Sequence, residues 1–160
     1  MRRGEALGLR WADLDLTAGR AAIRQTVVTV NHEVHFGSPK TAKGRRSVTL
    51  DSVTIAGLRE HRKAQTAERL MIGAGWRDHD LVIAKVDGSP LHPERFSRSF
   101  TERARQLGLP KIRLHDLRHG WATLALAAGV HPKVVQERLG HASISITLDT
   151  YSHVSPALPR

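Results

Sequence analysis

Cysteine is absent from the 160 residues, which excludes disulfides, thiolate metal sites and a cysteine nucleophile, and leaves a reducing compartment compatible with the chain. Long apolar runs are absent too. The opening MRRGEALGLRW has no hydrophobic stretch of the signal-peptide kind, and no segment approaches the roughly 20 apolar residues that span a bilayer. A soluble, cytoplasmic protein without a membrane partner is expected. Acidic residues are few: 15 Asp and Glu stand against 25 Lys and Arg, a formal charge of +10. Such a surface attracts polyanions, and nucleic acid is the expected partner. The ten histidines raise that charge further below neutrality. Aromatic residues make up only 4% of the chain, with a single tyrosine, Tyr151. There is no internal repeat and no long linker, and 40% apolar content at this length suits one core, hardly two.

What is present changes character near residue 51. Residues 21–50 are rich in Val, Thr and Ile and predict two or three antiparallel strands, with the loop SPKTAKGRR projecting from the sheet edge. Helical patterning follows. A charged surface helix is expected from residue 52 to about 71, and LVIA at 81–84 is a short apolar piece of open state. A helix beginning at Pro93 buries Phe96, Phe100 and Leu107 and ends at Gly108; a shorter one runs from Pro132 to Gly140. SISITLDTY fits a strand or a helix, and helix is favoured. The expected class is α+β, mostly helical, with a small antiparallel β-sheet at residues 21–50, in one domain over 1–160.

The segment LHDLRHGWATLALAAG, residues 114–129, combines two demands. Leu117, Trp121, Leu124 and Ala128 share one helical stripe that predicts a buried face. His115, Arg118 and His119 crowd the first turn, where backbone N–H groups already carry partial positive charge, so a bound anion would relieve the conflict. The bland alternative is that Asp116 pairs with Arg118 or Arg113 and the histidines only cap or pack. His115 and His119 also have the i, i+4 spacing of metal ligands, but a third ligand is missing and Asp116 stands where a metalloprotease needs glutamate. Taken alone, Tyr151 reads as a packing residue.

Five segments in order resemble the catalytic domain of tyrosine recombinases, the phage-integrase family: MRRGEALGLRWADLD, SPKTAKGRRSVTL, HDLRHGWAT, LGH and DTYSHV. The resemblance covers Met1 to about Val154. It implies catalytic roles for Arg2, Lys40, His115, Arg118, His141 and Tyr151, with Glu5 as the structural neighbour of Arg2. Lys43, Arg45 and Arg46 are expected to contact DNA backbone phosphates. It also implies that the chain lacks further amino-terminal helices of the domain and the separate DNA-clamping domain. The implied activity is site-specific recombination or integration of double-stranded DNA through a 3′-phosphotyrosyl intermediate, with neither cofactor nor metal, in a tetramer on DNA in the full-length form. The alternatives are a catalytically silent DNA-binding fragment, strand passage of the type IB topoisomerase kind, and a metallohydrolase using His115 and His119. The chemistry suits the residue types: attack on a phosphodiester adds negative charge that fixed arginines stabilise, and a tyrosine of pKa about 10 needs a base or a cationic field to act as nucleophile.

Overall fold

The computed structural model describes residues 1–39, 44–141, 143–145 and 147. Helix α1 (Arg3–Leu7) leads through a 3-10 turn, Trp11–Asp13, into the strands β1 (Leu14–Asp15), β2 (Arg20–Ile23), β3 (Thr26–Val30), β4 (Glu33–Gly37) and β5 (Arg46–Thr49). Among the described residues the helices α2 (Ser52–Ile72), α3 (Pro93–Gln106), α4 (Leu114–Ala127) and α5 (Pro132–Leu139) follow. The class is the expected α+β with helices predominating.

The strands divide differently from expectation. They form two antiparallel sheets, β1-β2-β5 and the hairpin β3-β4, because the chain leaves the first sheet after Ile23 and folds back on itself at Asn31 and His32. Val30 pairs with Glu33, and both intervening residues have positive φ, 49° and 64°. A two-residue turn of this hand matches the right-handed twist of the strands it joins. The hairpin lies against α1, where a Cβ on Gly4 would fall 2.5 Å from the Val27 carbonyl oxygen. Only glycine permits that approach.

Two clusters of buried apolar residues stand out among the described residues. The first joins Leu9, Trp11, Ala21, Ile23 and Val82, with Val48, Leu50 and Leu58 at its margin. LVIA belongs here as a bent piece between two isolated bridges: Val82 N donates to Leu9 O at 2.9 Å, and Leu81 bridges Arg10. Helix α2 covers the cluster with no residue fully buried, capped by Asp51, whose side chain accepts from Thr54 N at 2.8 Å. Its Gln65 accepts from the Trp11 indole at 2.6 Å. The second cluster is Ala122, Val135 and Leu139, between α4 and α5, with Ala125 and Leu126 beside it.

Two expected faces are corrected. On α3, Pro93 and Ala104 are buried, but Leu107 is 73% exposed, since it lies past the last helical turn. On α4 the stripe of Leu117, Trp121, Leu124 and Ala128 is the exposed side, with Leu124 71% exposed. Arg118 and Ala122 face inward instead. The small Ala122 side chain lets α5 approach closely, and the guanidinium of Arg118 finds its partner at the end of α5. Of SISITLDTY, Ser143 is a bend, Ile144, Ser145 and Thr147 are helical, and Ile146 and residues 148–151 lie outside the described residues.

Candidate active site

Helices α1 and α4 begin alike. Each has an arginine at its N-cap and an acid three residues on that reaches back: Arg2 N donates to Glu5 Oε2 at 2.7 Å, and Arg113 N to Asp116 Oδ2 at 2.8 Å. Such back-bonding occupies a backbone donor and places a carboxylate at the positive end of the helix. Asp116 also binds the Arg113 guanidinium at 2.9 Å, which decides between its two possible partners and leaves Arg118 for another task.

That task is at the C-terminus of α5. A helix ends in carbonyls without intrahelical partners, and three consecutive ones here each accept from a different arginine. Arg46 Nε donates to Arg138 O at 2.9 Å, Arg118 Nη2 donates to Leu139 O, and Arg2 Nη2 donates to Gly140 O at 3.1 Å. The chain turns at Gly140, whose φ of 67° is left-handed, and His141 follows at once. One short helix end thereby draws together residues from α1, α4, β5 and the LGH segment.

His141 is held by its backbone N and O and by one ring nitrogen. Its N donates to Gln136 O at 3.1 Å, Gln136 Nε2 donates to its carbonyl at 2.9 Å, and Nδ1 is hydrogen-bonded to the fully buried Thr147 hydroxyl at 2.9 Å. Burial and then the charges of Arg118 and Arg2 lower its pKa to about 4, so the ring is neutral at pH 7. His115 stands exposed at the start of α4, its ring 4.6 Å from that of His119 and edge-on to it. Burial, then His119 and Arg118, lower its pKa as well. Among the described residues no group of three or more His, Cys, Asp or Glu is placed to hold a metal, and no helix is long and apolar enough to cross a membrane.

Two clefts flank the helix end. One of about 770 Å³ is lined by Arg2, Phe96, Leu114, His115, Arg118 and Trp121. The other, of about 520 Å³, is lined by Arg45, Lys133, Arg138 and His141 among others. Arg2 and Arg118 thus meet at the helix end just before His141, and His115 shares the first cleft with them. Lys40, Lys43 and Tyr151 lie outside the described residues. Arg45 is exposed beside the second cleft.

Arg46 is placed otherwise than expected. Its side chain is 8% exposed, and its two terminal nitrogens grip both oxygens of Glu5, at 3.0 and 2.8 Å. Its guanidinium is thus engaged by a buried carboxylate, where an exposed cation was expected. Burial opposes ionisation of Glu5, but hydrogen bonds from Arg46 and Arg2 outweigh it and hold its pKa at about 2. The signal was present in RRSVTL: alternation along β5 puts Arg46 on the inward side with Val48 and Leu50. Gln136 and Thr147 had no comparable signal, since only the turn at Gly140 brings them to His141.

The chain's residues 1–157 match the Phage integrase family, and the chain belongs to that family of tyrosine recombinases and integrases. It is 30% identical over 98% of its length to a protein described as "Tyrosine recombinase XerC-like" from Caldanaerobacter subterraneus subsp. tengcongensis. It is 31% identical, again over 98%, to the ICEBs1 integrase of Bacillus subtilis. It spans 43% and 42% of those two proteins. Among solved structures, the Tn1549 transposon integrase bound to transposon right end DNA superposes with a TM-score of 0.82 at 22% identity, over 97% of this chain and 51% of that one. The XerH site-specific recombinase bound to its palindromic difH substrate, in a post-cleavage complex, gives 0.67 at 27% identity, over 98% of this chain and 39% of that one.

Proposed function

We propose that the chain is the catalytic core of a site-specific DNA recombinase that cleaves and rejoins strands by transesterification. The observation that carries this reading is the convergence of Arg2 and Arg118 on neighbouring carbonyls of one helix end, beside a neutral His141. Relatives with the same fold are seen on DNA, and double-stranded DNA is the proposed substrate here.

In the reaction, the Tyr151 oxygen attacks the scissile phosphorus, the P–O5′ bond breaks, and a 3′-phosphotyrosyl linkage forms with a free 5′-hydroxyl. Arg2 and Arg118 stabilise charge growing on the nonbridging oxygens, and their attachment to a rigid helix end means little reorganisation at the moment of reaction. His141, its Nδ1 engaged by Thr147, presents Nε2 to a nonbridging oxygen. His115 is neutral near pH 7 and accepts the phenolic proton. Lys40 donates a proton to the departing 5′-oxygen, which is far more basic than a phenolate. The diester bond energy survives in the phosphotyrosine, so a different 5′-hydroxyl reverses the step without cofactor or metal. Lys43 and Arg45 contact backbone phosphates, which position the duplex without reading its sequence. Strand exchange between two duplexes requires self-association, and a tetramer on DNA is proposed for the full-length form.

The test is incubation with a nicked suicide duplex in EDTA. A covalent protein–DNA adduct is expected, and Tyr151→Phe is expected to abolish it. Adducts persisting in that variant overturn the choice of nucleophile; none in the parent chain leaves a silent DNA-binding module.

A further inference from the structure

We propose that Arg46 is a positioning residue: it locks the carrier of Arg2 to the carrier of His141, and so fixes the spacing of the phosphate site from within. The assignment rests on the reading of Arg2 and His141 given above. All three guanidinium nitrogens are committed. Nη1 and Nη2 hold Glu5 in a two-pronged ion pair, Nε holds Arg138 O, and Nη1 also reaches Gly44 O at 3.0 Å. Glu5 in turn holds Arg2 by its backbone N and by Nη1 at 3.0 Å. One planar group thus ties α1, β5 and the end of α5 together, just before His141.

A second, independent observation is the space at Gly140. A Cβ added there would lie 2.9 Å from Arg46 Nη1 and 3.1 Å from Cζ. The guanidinium lies against the backbone of the turn that aims His141, so a displacement of one is felt by the other. The geometry requires a planar fork with donors in fixed directions; a lysine ammonium keeps the charge but gathers its three donors on one atom, and cannot reach both carboxylate oxygens and the Arg138 and Gly44 carbonyls from their separate sides.

The experiment compares the parent chain with Arg46→Lys and Arg46→Met by ¹⁵N NMR of arginine Nε–H and histidine ring signals. Adduct formation on the nicked suicide duplex and the salt dependence of binding to an intact duplex are measured alongside. His61, hydrogen-bonded to Val82 O at 2.6 Å in the other cluster, reports whether the fold survives. The expected result in the lysine variant is displaced Arg2 and His141 signals with His61 unchanged, and an adduct rate lower by about 100-fold, the scale of an ångström's misplacement. Because the charge is retained, a purely electrostatic role predicts rescue by lysine, and rescue would overturn the proposal. Direct contact with DNA predicts a salt slope smaller by about one in Arg46→Met with Arg2 and His141 undisturbed, which would also overturn it. So would unfolding of both variants, since Arg46 would then act on the fold alone. If the parent forms no adduct, the proposed reaction fails for this chain, while the ring and guanidinium signals still decide the role of Arg46.

Discussion

Glu5 is the residue on which the site's electrostatics turn. It is a carboxylate with 3% exposure between two arginines, and such a group is tolerated in the interior only while its charge is answered. Its pKa in the fold is about 2 against an ordinary 4.5, so the folded state binds its proton less readily than the unfolded chain. Stability from this group is present above pH 4.5 and is lost as pH falls toward 2. His141 behaves in the same direction in a higher window: its pKa of about 4 lies below the ordinary 6.5, so its contribution declines as pH falls through that interval. Urea midpoints measured from pH 7 to pH 3 should drop in two stages, the upper one removed by His141→Asn and the lower one by Glu5→Gln. A single drop untouched by Glu5→Gln would show that the pair with Arg46 is not coupled to folding.

Thr147 belongs to the same scale. Its hydroxyl is the partner of His141 Nδ1, and a ring nitrogen's partner sets which nitrogen faces the substrate. Thr147→Val keeps the volume and removes the hydroxyl. Adduct formation is expected to fall about 10- to 100-fold, with duplex affinity little changed. An unaltered rate would mean that the ring is oriented by its backbone alone.

At the level of elements, α4 offered two plausible faces, and the choice has energetic consequences. Ala122 has no exposed surface and sits against Val135 and Leu139, so Ala122→Leu should overpack the α4–α5 contact and cost about 1–3 kcal/mol. Leu124 lies on the exposed side, and Leu124→Ser should change stability by less than about 0.5 kcal/mol. Denaturant midpoints of the two variants should therefore differ clearly; equal losses would restore the face expected from the apolar stripe. The stripe is misleading because Arg118, which lies off it, occupies the interior face, with its guanidinium donating to the Leu139 carbonyl. The exposed Trp121 ring has its own partner, the Arg138 guanidinium 5.3 Å above it.

For the whole molecule the relevant quantity is the charge of +10. Association with DNA through several phosphates releases counterions, so the logarithm of affinity should fall linearly with that of salt concentration. Arg45→Gln, at an exposed position beside the second cleft, should lower that slope by about one and weaken binding to all sequences alike. Fluorescence anisotropy across 50–200 mM salt would measure it. A slope unchanged in Arg45→Gln would place the duplex elsewhere.

Much of this was readable along the chain. The absence of cysteine, the positive charge, the capped helices beginning at Pro93 and Pro132, and the order of the five segments are local or compositional properties, and they hold wherever the chain folds. The family resemblance, and with it the proposal of site residues, belongs here too, because it rests on those five segments alone. What only the tertiary structure decided is which side each group faces and what it touches. That Arg118 turns inward, that Arg46 pairs with Glu5, and that three arginines meet at one helix end all depend on partners from 21 to 138 residues away in sequence. Periodicity states that faces exist; it does not state what will be packed against them, and a buried guanidinium is stable only where distant carbonyls and a carboxylate are brought to meet it.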